Sequence, residues 1–332
     1  MKRLTIIGAG SWGTALSIVL APRFSTVRLW VYEQDLADRM RVSHENDVYL
    51  PGFPIPANVD LTTGFAEALD GAEIVLGVMP SHRARGVYEG MLPHLDQSML
   101  LVSATKGLET GSLLRMSEVI QQVVNGKFAP RVAVLSGPTF AKEVARGEPT
   151  ALVVASTGIG VAAEVQKAFS GSSFRLYTNA DPIGVEIGGA VKNVVAIGAG
   201  VCHGLGLGSN SMAALITRGL AEITRLALAV GGQGRTLAGL AGLGDLLLTC
   251  TGALSRNRMV GMQLASGKRL DEIVGSMQMI AEGIETTKAT MDLALRHGIE
   301  MPITEQMHAV LFEARPASEA IRQLMERSLK GE

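Results

Sequence analysis

The chain has 332 residues, 47% hydrophobic and only 18% charged, a composition that excludes a disordered protein and leaves room for two domains. A net charge of −1 gives no basic field for nucleic acid, so any anionic ligand must be held by local groups. No uninterrupted apolar run reaches the length of a membrane span, and Met1-Lys2-Arg3 is not followed by the apolar core of a signal peptide. The two cysteines, Cys202 and Cys250, lie in apolar surroundings without metal-like spacing. They read as reduced structural thiols of a cytoplasmic protein, with no metal site expected.

The first run, residues 4–7 (LTII), reads as a buried strand. It leads into Gly8-x-Gly10-x-x-Gly13 and a helix expected from about Ser11. In a dinucleotide site Gly8 permits the tight turn, Gly10 lets a pyrophosphate approach the backbone, and Gly13 lets helix and strand pack closely. The unpaired N–H groups and dipole at the helix start would face that pyrophosphate. A second strand, residues 27–32, follows and is expected to end at Glu33, 20 residues beyond Gly13. An acid at that point would accept from the hydroxyls of the adenosine ribose.

From there to about residue 180, short apolar runs alternate with helical patterns, which predicts a mostly parallel sheet. Residues 44–56 hold three prolines in six positions (51–56) and read as a long surface loop, a candidate flap. Further strands are expected over 73–79, 98–103, 131–135, 150–156 and 174–177. Two of them run into sequences that suit ligand contact at a strand end, Ala104-Thr105-Lys106-Gly107 and Ser136-Gly137-Pro138-Thr139-Phe140-Ala141-Lys142-Glu143. A solvated lysine is the plain alternative for Lys106.

After Asp181-Pro182 strand-like runs stop. Helical patterns take over at roughly 183–203, 210–230, 255–266, 282–298, 303–313 and 316–329. The boundary is placed near 180, with a Rossmann-type sheet domain over 1–180 and an all-helical domain over 181–332. Within 184–198, Lys192 is the one cation of a nearly pure apolar helix. Burial would lower its pKa toward the range useful for proton transfer, while a stem that snorkels to water is an equal alternative. Asp245, isolated among leucines and glycines, would cap a helix or partner Lys192 or a substrate hydroxyl. Ser255-Arg256-Asn257-Arg258 opens another helix, where an N-cap serine, free N–H groups and a guanidinium fork would make a phosphate site, two exposed arginines on a helix surface being the plain and commoner alternative. Ile280-Ala281-Glu282-Gly283 carries an acid into the following helix, and capping is the plain reading there.

Together, Gly8 to Ala15, Asn46 to Gly52, Ala104 to Gly107, Ser136 to Glu143, Gly184 to Asn193, Gly242 to Asp245, Ser255 to Asn257 and Ala281-Glu282-Gly283 resemble the bacterial-type NAD(P)-dependent glycerol-3-phosphate dehydrogenases. The resemblance spans essentially the whole chain, in the family's order and spacing. It implies that Lys192 is the proton acceptor and that Lys106, Gly137, Thr139, Asp245, Ser255, Arg256 and Asn257 meet the substrate. It implies cofactor contacts at Ser11, Trp12, Lys106, Ala141, Arg256, Ile280 and Glu282. The reaction implied is reversible oxidation of glycerol 3-phosphate at C2 to dihydroxyacetone phosphate, supplying glycerol 3-phosphate for phospholipid synthesis. The expected partners are small molecules, with a homodimer as the candidate assembly. Many members carry a basic or neutral pair where this chain has Tyr32-Glu33. A carboxylate there opposes a 2′-phosphate, so NAD is the expected cofactor, with NADP as the alternative. Ketopantoate reductases and 3-hydroxyacyl-CoA dehydrogenases share the build, and Ser255-Arg256-Asn257 discriminates against them. A non-catalytic NADH sensor would have no use for Lys192.

Overall fold

Runs of four to six residues rich in Val, Ile and Leu form one eight-stranded sheet in the computed structural model, which describes residues 3–277, 279, 281–328 and 331. Its strands are β1 (Arg3–Ile7), β2 (Thr26–Trp30), β5 (Val59–Thr62), β6 (Ile74–Gly77), β7 (Leu100–Ser103), β8 (Arg131–Ser136), β9 (Thr150–Ala155) and β10 (Phe174–Asn179). A separate antiparallel pair, β3 (Glu45–Asn46) and β4 (Leu50–Pro54), lies between β2 and β5 in the chain. The helices of this half are α1 (Ser11–Leu20), α2 (Gln34–Ser43), α3 (Phe65–Leu69), α4 (Ala84–Met91), α5 (Met116–Val124), α6 (Ala141–Ala145) and α7 (Val161–Phe169).

The strand order is β10-β9-β8-β7-β6-β1-β2-β5, parallel throughout except between β8 and β9. The chain therefore spreads outward from β1 to β2 and β5 on one side, and from β6 to β7 and β8 on the other. At such a reversal the loops leaving the two central strands diverge and open a crevice at the strands' carboxyl ends. The mostly parallel Rossmann sheet expected from the sequence is present.

Three local expectations are corrected. The second strand stops at Trp30, and Glu33 is the N-cap of α2 rather than a strand end. Residues 59–62 form a strand that the sequence did not announce, because Val-Asp-Leu-Thr is short and half polar. The proline-rich stretch is no free loop: its β3–β4 pair is anchored by Asn46, which is fully buried.

The second half contains α8 (Pro182–Gly204), α9 (Ser209–Ala229), α10 (Gly234–Leu237), α11 (Asp245–Thr251), α12 (Arg256–Ala265), α13 (Leu270–Gly275), α14 (Gly283–His297), α15 (Pro302–Phe312) and α16 (Ala317–Met325). The six long helices lie where periodicity placed them. α10, α11 and α13 are too short to show a period. α8 starts cleanly, with Pro182 at its first position and the Asp181 carboxylate accepting from Gly184 N–H at 2.9 Å. By length and composition α8 would cross a membrane, yet its apolar window is wholly buried, packed by α9, α11, α12, α14 and β8. α8 and α12 touch backbone to backbone: a Cβ on Gly261 would lie 1.9 Å from Ile197 O. That close approach holds the middle of α12 against the second half of α8.

Candidate active site

The glycine turn after β1 is shaped by its neighbours. Gly8 has φ +116°, and a Cβ there would lie 2.2 Å from Val78 O in the loop after β6. A Cβ on Gly13 would lie 1.8 Å from Gly8 O. Around Gly10, by contrast, nothing lies within 4 Å of the position a Cβ would take. The first turn of α1 has no capping side chain, so its N–H groups face that open space. A turn this tight, an open approach over Gly10 and an uncapped helix start fit a dinucleotide pyrophosphate. The β3–β4 pair buttresses the turn: Asn46 Nδ2 donates to Ala9 O and Thr14 Oγ1, both at 2.8 Å. Ser11 Oγ donates to Tyr49 O at 2.6 Å, and Trp12 packs partly buried on the sheet core. Ala141 opens α6, which lies against α1.

Glu33 is half-buried at the start of α2 and accepts from the Tyr49 hydroxyl at 2.9 Å. Burial, and then this hydrogen bond, hold the Tyr49 phenol above its ordinary range. The nearby guanidiniums are engaged elsewhere. Arg39 pairs with Asp35 and Asp47, Arg41 with Asp38, and Arg28 with Asp70 and the Glu67 carbonyl.

Across the crevice, a buried carboxylate joins the two halves. Asp245, the first residue of α11, is fully buried and pairs with two lysines. Lys106, from the loop after β7, reaches Asp245 Oδ2 at 2.8 Å and Gly137 O at 3.1 Å. Lys192, from the middle of α8, donates to Asp245 Oδ1 and to Thr249 Oγ1, the latter at 2.8 Å. Lys192 is 4% exposed, so its ammonium does not snorkel. Nor is it unpaired, as a lone buried cation would be. Burial pushes its pKa down to about 8; Asp245 opposes that shift and Lys106 reinforces it. Asp245 is thus an ion-pair centre rather than a helix cap. Thr139 Oγ1 lies 3.3 Å from the same Gly137 carbonyl, which brings Lys106, Gly137 and Thr139 into one corner.

The third component is the start of α12. Ser255 is its N-cap, its Oγ accepting from Arg258 N–H at 3.2 Å, and Asn257 is buried. Glu282 directly precedes α14. Burial raises its carboxyl pKa, while the charges of Arg256, Lys106 and Lys192 act in the opposite direction. Ile280 lies outside the described residues. Sequence reasoning missed Thr249, Asn193 and Tyr49. Thr249 was legible in principle, one helical turn beyond Asp245. Asn193, which accepts from Asn257 Nδ2 at 3.0 Å, and Tyr49 depend on contacts across the fold.

The model of the NAD-dependent glycerol-3-phosphate dehydrogenase N-terminus matches residues 3–162, and that of the C-terminus matches residues 181–322. The glycerol-3-phosphate dehydrogenase (NAD(P)+) of Koribacter versatilis is 57% identical over 329 residues, covering 98% of each chain. That of Geobacter sulfurreducens is 50% identical over 331 residues, 100% of this chain and 99% of the relative. The crystal structure of glycerol-3-phosphate dehydrogenase from Coxiella burnetii superposes with a TM-score of 0.93 at 42% identity, covering 98% of this chain and 99% of that one. A ketopantoate reductase from Ralstonia eutropha, 17% identical with a TM-score of 0.59, shares the fold alone.

Proposed function

We propose that this chain, which belongs to the NAD-dependent glycerol-3-phosphate dehydrogenase family, interconverts glycerol 3-phosphate and dihydroxyacetone phosphate with a nicotinamide cofactor. The observation that carries the reading is the buried Lys192, lowered to about 8 and oriented by Asp245 and Thr249 beside a dinucleotide-type glycine turn. The bound nicotinamide would take the hydride from C2 in oxidation and return it in reduction.

The chain's own residues do the rest. Neutral Lys192 accepts the C2 hydroxyl proton, and its ammonium returns that proton to the carbonyl oxygen in reduction. Asp245 orients Lys192 and Lys106, and Thr249 fixes the third direction around the Lys192 nitrogen. Lys106, Gly137 and Thr139 hold the substrate from the sheet side. Ser255, Arg256 and the start of α12 hold its phosphate. Gly8, Gly10, Ser11, Trp12, Gly13, Ala141, Ile280 and Glu282 hold the cofactor, with Glu33 at the ribose.

Glu33 also sets the cofactor preference, NADH over NADPH, because Arg28, Arg39 and Arg41 already have carboxylate partners. The reading divides the chain near residue 180 into a dinucleotide-binding sheet domain and a helical domain that carries Lys192 and the phosphate site. It places the enzyme in the cytoplasm, supported by the two free buried thiols, where it supplies glycerol 3-phosphate for phospholipids. Assembly as a homodimer is read by sedimentation velocity. The deciding assay follows NADH absorbance with dihydroxyacetone phosphate, ketopantoate and acetoacetyl-CoA. Loss with the first alone is expected, and loss with either of the others alone would overturn the reading.

A further inference from the structure

Three helices carrying separate parts of the site are joined by two side-chain amides. Asn193 follows Lys192 on α8, Asn257 is the second residue of α12, and Gly283 opens α14 directly after Glu282. Asn257 Nδ2 donates to Asn193 Oδ1 at 3.0 Å, and Asn257 Oδ1 accepts from Gly283 N–H at 2.9 Å. A backbone N–H can only donate, so Gly283 determines which way the Asn257 amide faces, and Asn257 in turn orients Asn193. Both asparagines are buried. The approach is close: a Cβ on Gly283 would lie 2.7 Å from Asn257 Oδ1 and 2.8 Å from Asn193 O. A shift of the middle of α8 or of the start of α12 or α14 is therefore felt by the other two.

This joint bears on the two ligands from opposite sides. With its amide engaged by α8 and α14, Asn257 presents its backbone N–H to a phosphate at the start of α12. Gly283 carries the chain on from Glu282, on the cofactor side. We propose that Asn257 is a positioning residue through which the binding of substrate phosphate and of nicotinamide cofactor are coupled. The proposal rests on the assignment of the start of α12 to the phosphate and of Glu282 to the cofactor. A ligand that draws on one end of the Asn193–Asn257–Gly283 joint shifts the other end through these two hydrogen bonds, so the first to bind sets the geometry the second meets. Such coupling is reciprocal by thermodynamic necessity.

The test is the dissociation constant of NADH, read from its fluorescence without and with saturating glycerol 3-phosphate, a pair that cannot react. In the unmodified enzyme the substrate should tighten NADH by roughly 5- to 150-fold, the usual span of such couplings. NADH should tighten glycerol 3-phosphate by the same factor. In Asn257→Ala and in Asn193→Ala the factor should fall toward one. A purely structural loss would weaken NADH equally with and without substrate and leave the factor intact. A factor near one in the unmodified enzyme, or an unchanged factor in the variants, would overturn the proposal. Should Asn257→Ala not fold, Asn193→Ala carries the test, since it keeps the bond from Gly283 to Asn257. A separate Arg256→Ala variant that binds glycerol 3-phosphate normally would overturn the phosphate site itself, whatever the coupling.

Discussion

The glycine turn after β1 offers a ligand backbone groups, whereas the centre around Asp245 offers charged side chains. Around Gly8, Gly10 and Gly13 the working parts are uncapped N–H groups and the absence of a Cβ, all within one short segment. Around Asp245 they are two lysines and a threonine, with Lys106 and Lys192 86 positions apart, gathered on a fully buried carboxylate. A backbone cradle needs no charge balance and tolerates no added atom. A buried ionic centre fails when one partner is removed, because the remaining charge is left unpaired. The two sides should therefore break in different ways.

The largest effect is expected at the ionic centre. Lys192→Ala should lower kcat by about 10² to 10⁴, the worth of a positioned acid–base group, with NADH affinity little changed. In the unmodified enzyme kcat/KM for oxidation should rise with pH and level off above about 8, as the amine loses its proton. For reduction it should fall over the same range, because the ammonium is then the required form. Near-normal turnover in the alanine variant, or profiles flat across this range, would remove Lys192 from the chemistry.

Next comes the phosphate site. Arg256→Ala should weaken dihydroxyacetone phosphate by roughly 1.5 to 3 kcal/mol, the range for a hydrogen bond to a charged group. Arg258→Ala should cost much less, since residues two apart on a helix do not share a face. Steady-state kinetics that could not tell the two apart would argue against a phosphate at the start of α12.

The backbone side is tested by a pair of alanines. Gly13→Ala drives a Cβ to 1.8 Å from Gly8 O, so it should lower stability by about 1 to 3 kcal/mol and weaken NADH as well. Gly10→Ala meets nothing within 4 Å, so it should keep its melting temperature and lose only cofactor affinity. A Gly10→Ala protein with normal NADH binding would show that the pyrophosphate does not approach there.

The same contrast explains what could be read without a structure. The glycine turn, the long helices and the cap at Ser255 are local: each signal lies within a few residues of its effect. The boundaries that moved, at Tyr32-Glu33 and in the 44–56 stretch, moved because of distant contacts. Asn46 reaches back to Ala9 and Thr14, which turns a proline-rich loop into a buttress. Lys192 was conspicuous as a lone cation; it is buried rather than snorkelling, and it pairs with Asp245, the partner the sequence offered. The sharing of Asp245 with Lys106 was not legible, because periodicity carries no information about such pairings.

The smallest effect expected lies at the outer edge of the backbone side, at Glu33. It is half-buried, with one oxygen bonded to the Tyr49 hydroxyl at 2.9 Å, which leaves its other lone pairs for ribose hydroxyls. The 2′-phosphate of NADPH would bring about two negative charges to the same place. Like charges a few ångströms apart cost on the order of 1 to several kcal/mol at a partly exposed site, and each 1.4 kcal/mol is about tenfold in preference. An arginine could offset this only by leaving its own partners. Arg39 is held by Asp35 at 3.0 Å and Asp47 at 3.2 Å, Arg41 by Asp38 at 2.6 Å, and Arg28 by carbonyls and Asp70. NADH should therefore exceed NADPH in kcat/KM by at least roughly tenfold. Glu33→Arg should narrow or reverse that gap, since a guanidinium there would meet the phosphate with a bidentate fork. Equal efficiency with both cofactors in the unmodified enzyme would mean that one of the three arginines exchanges its carboxylate for the phosphate. In that case Asp35→Asn and Asp38→Asn, which loosen Arg39 and Arg41, should favour NADPH further.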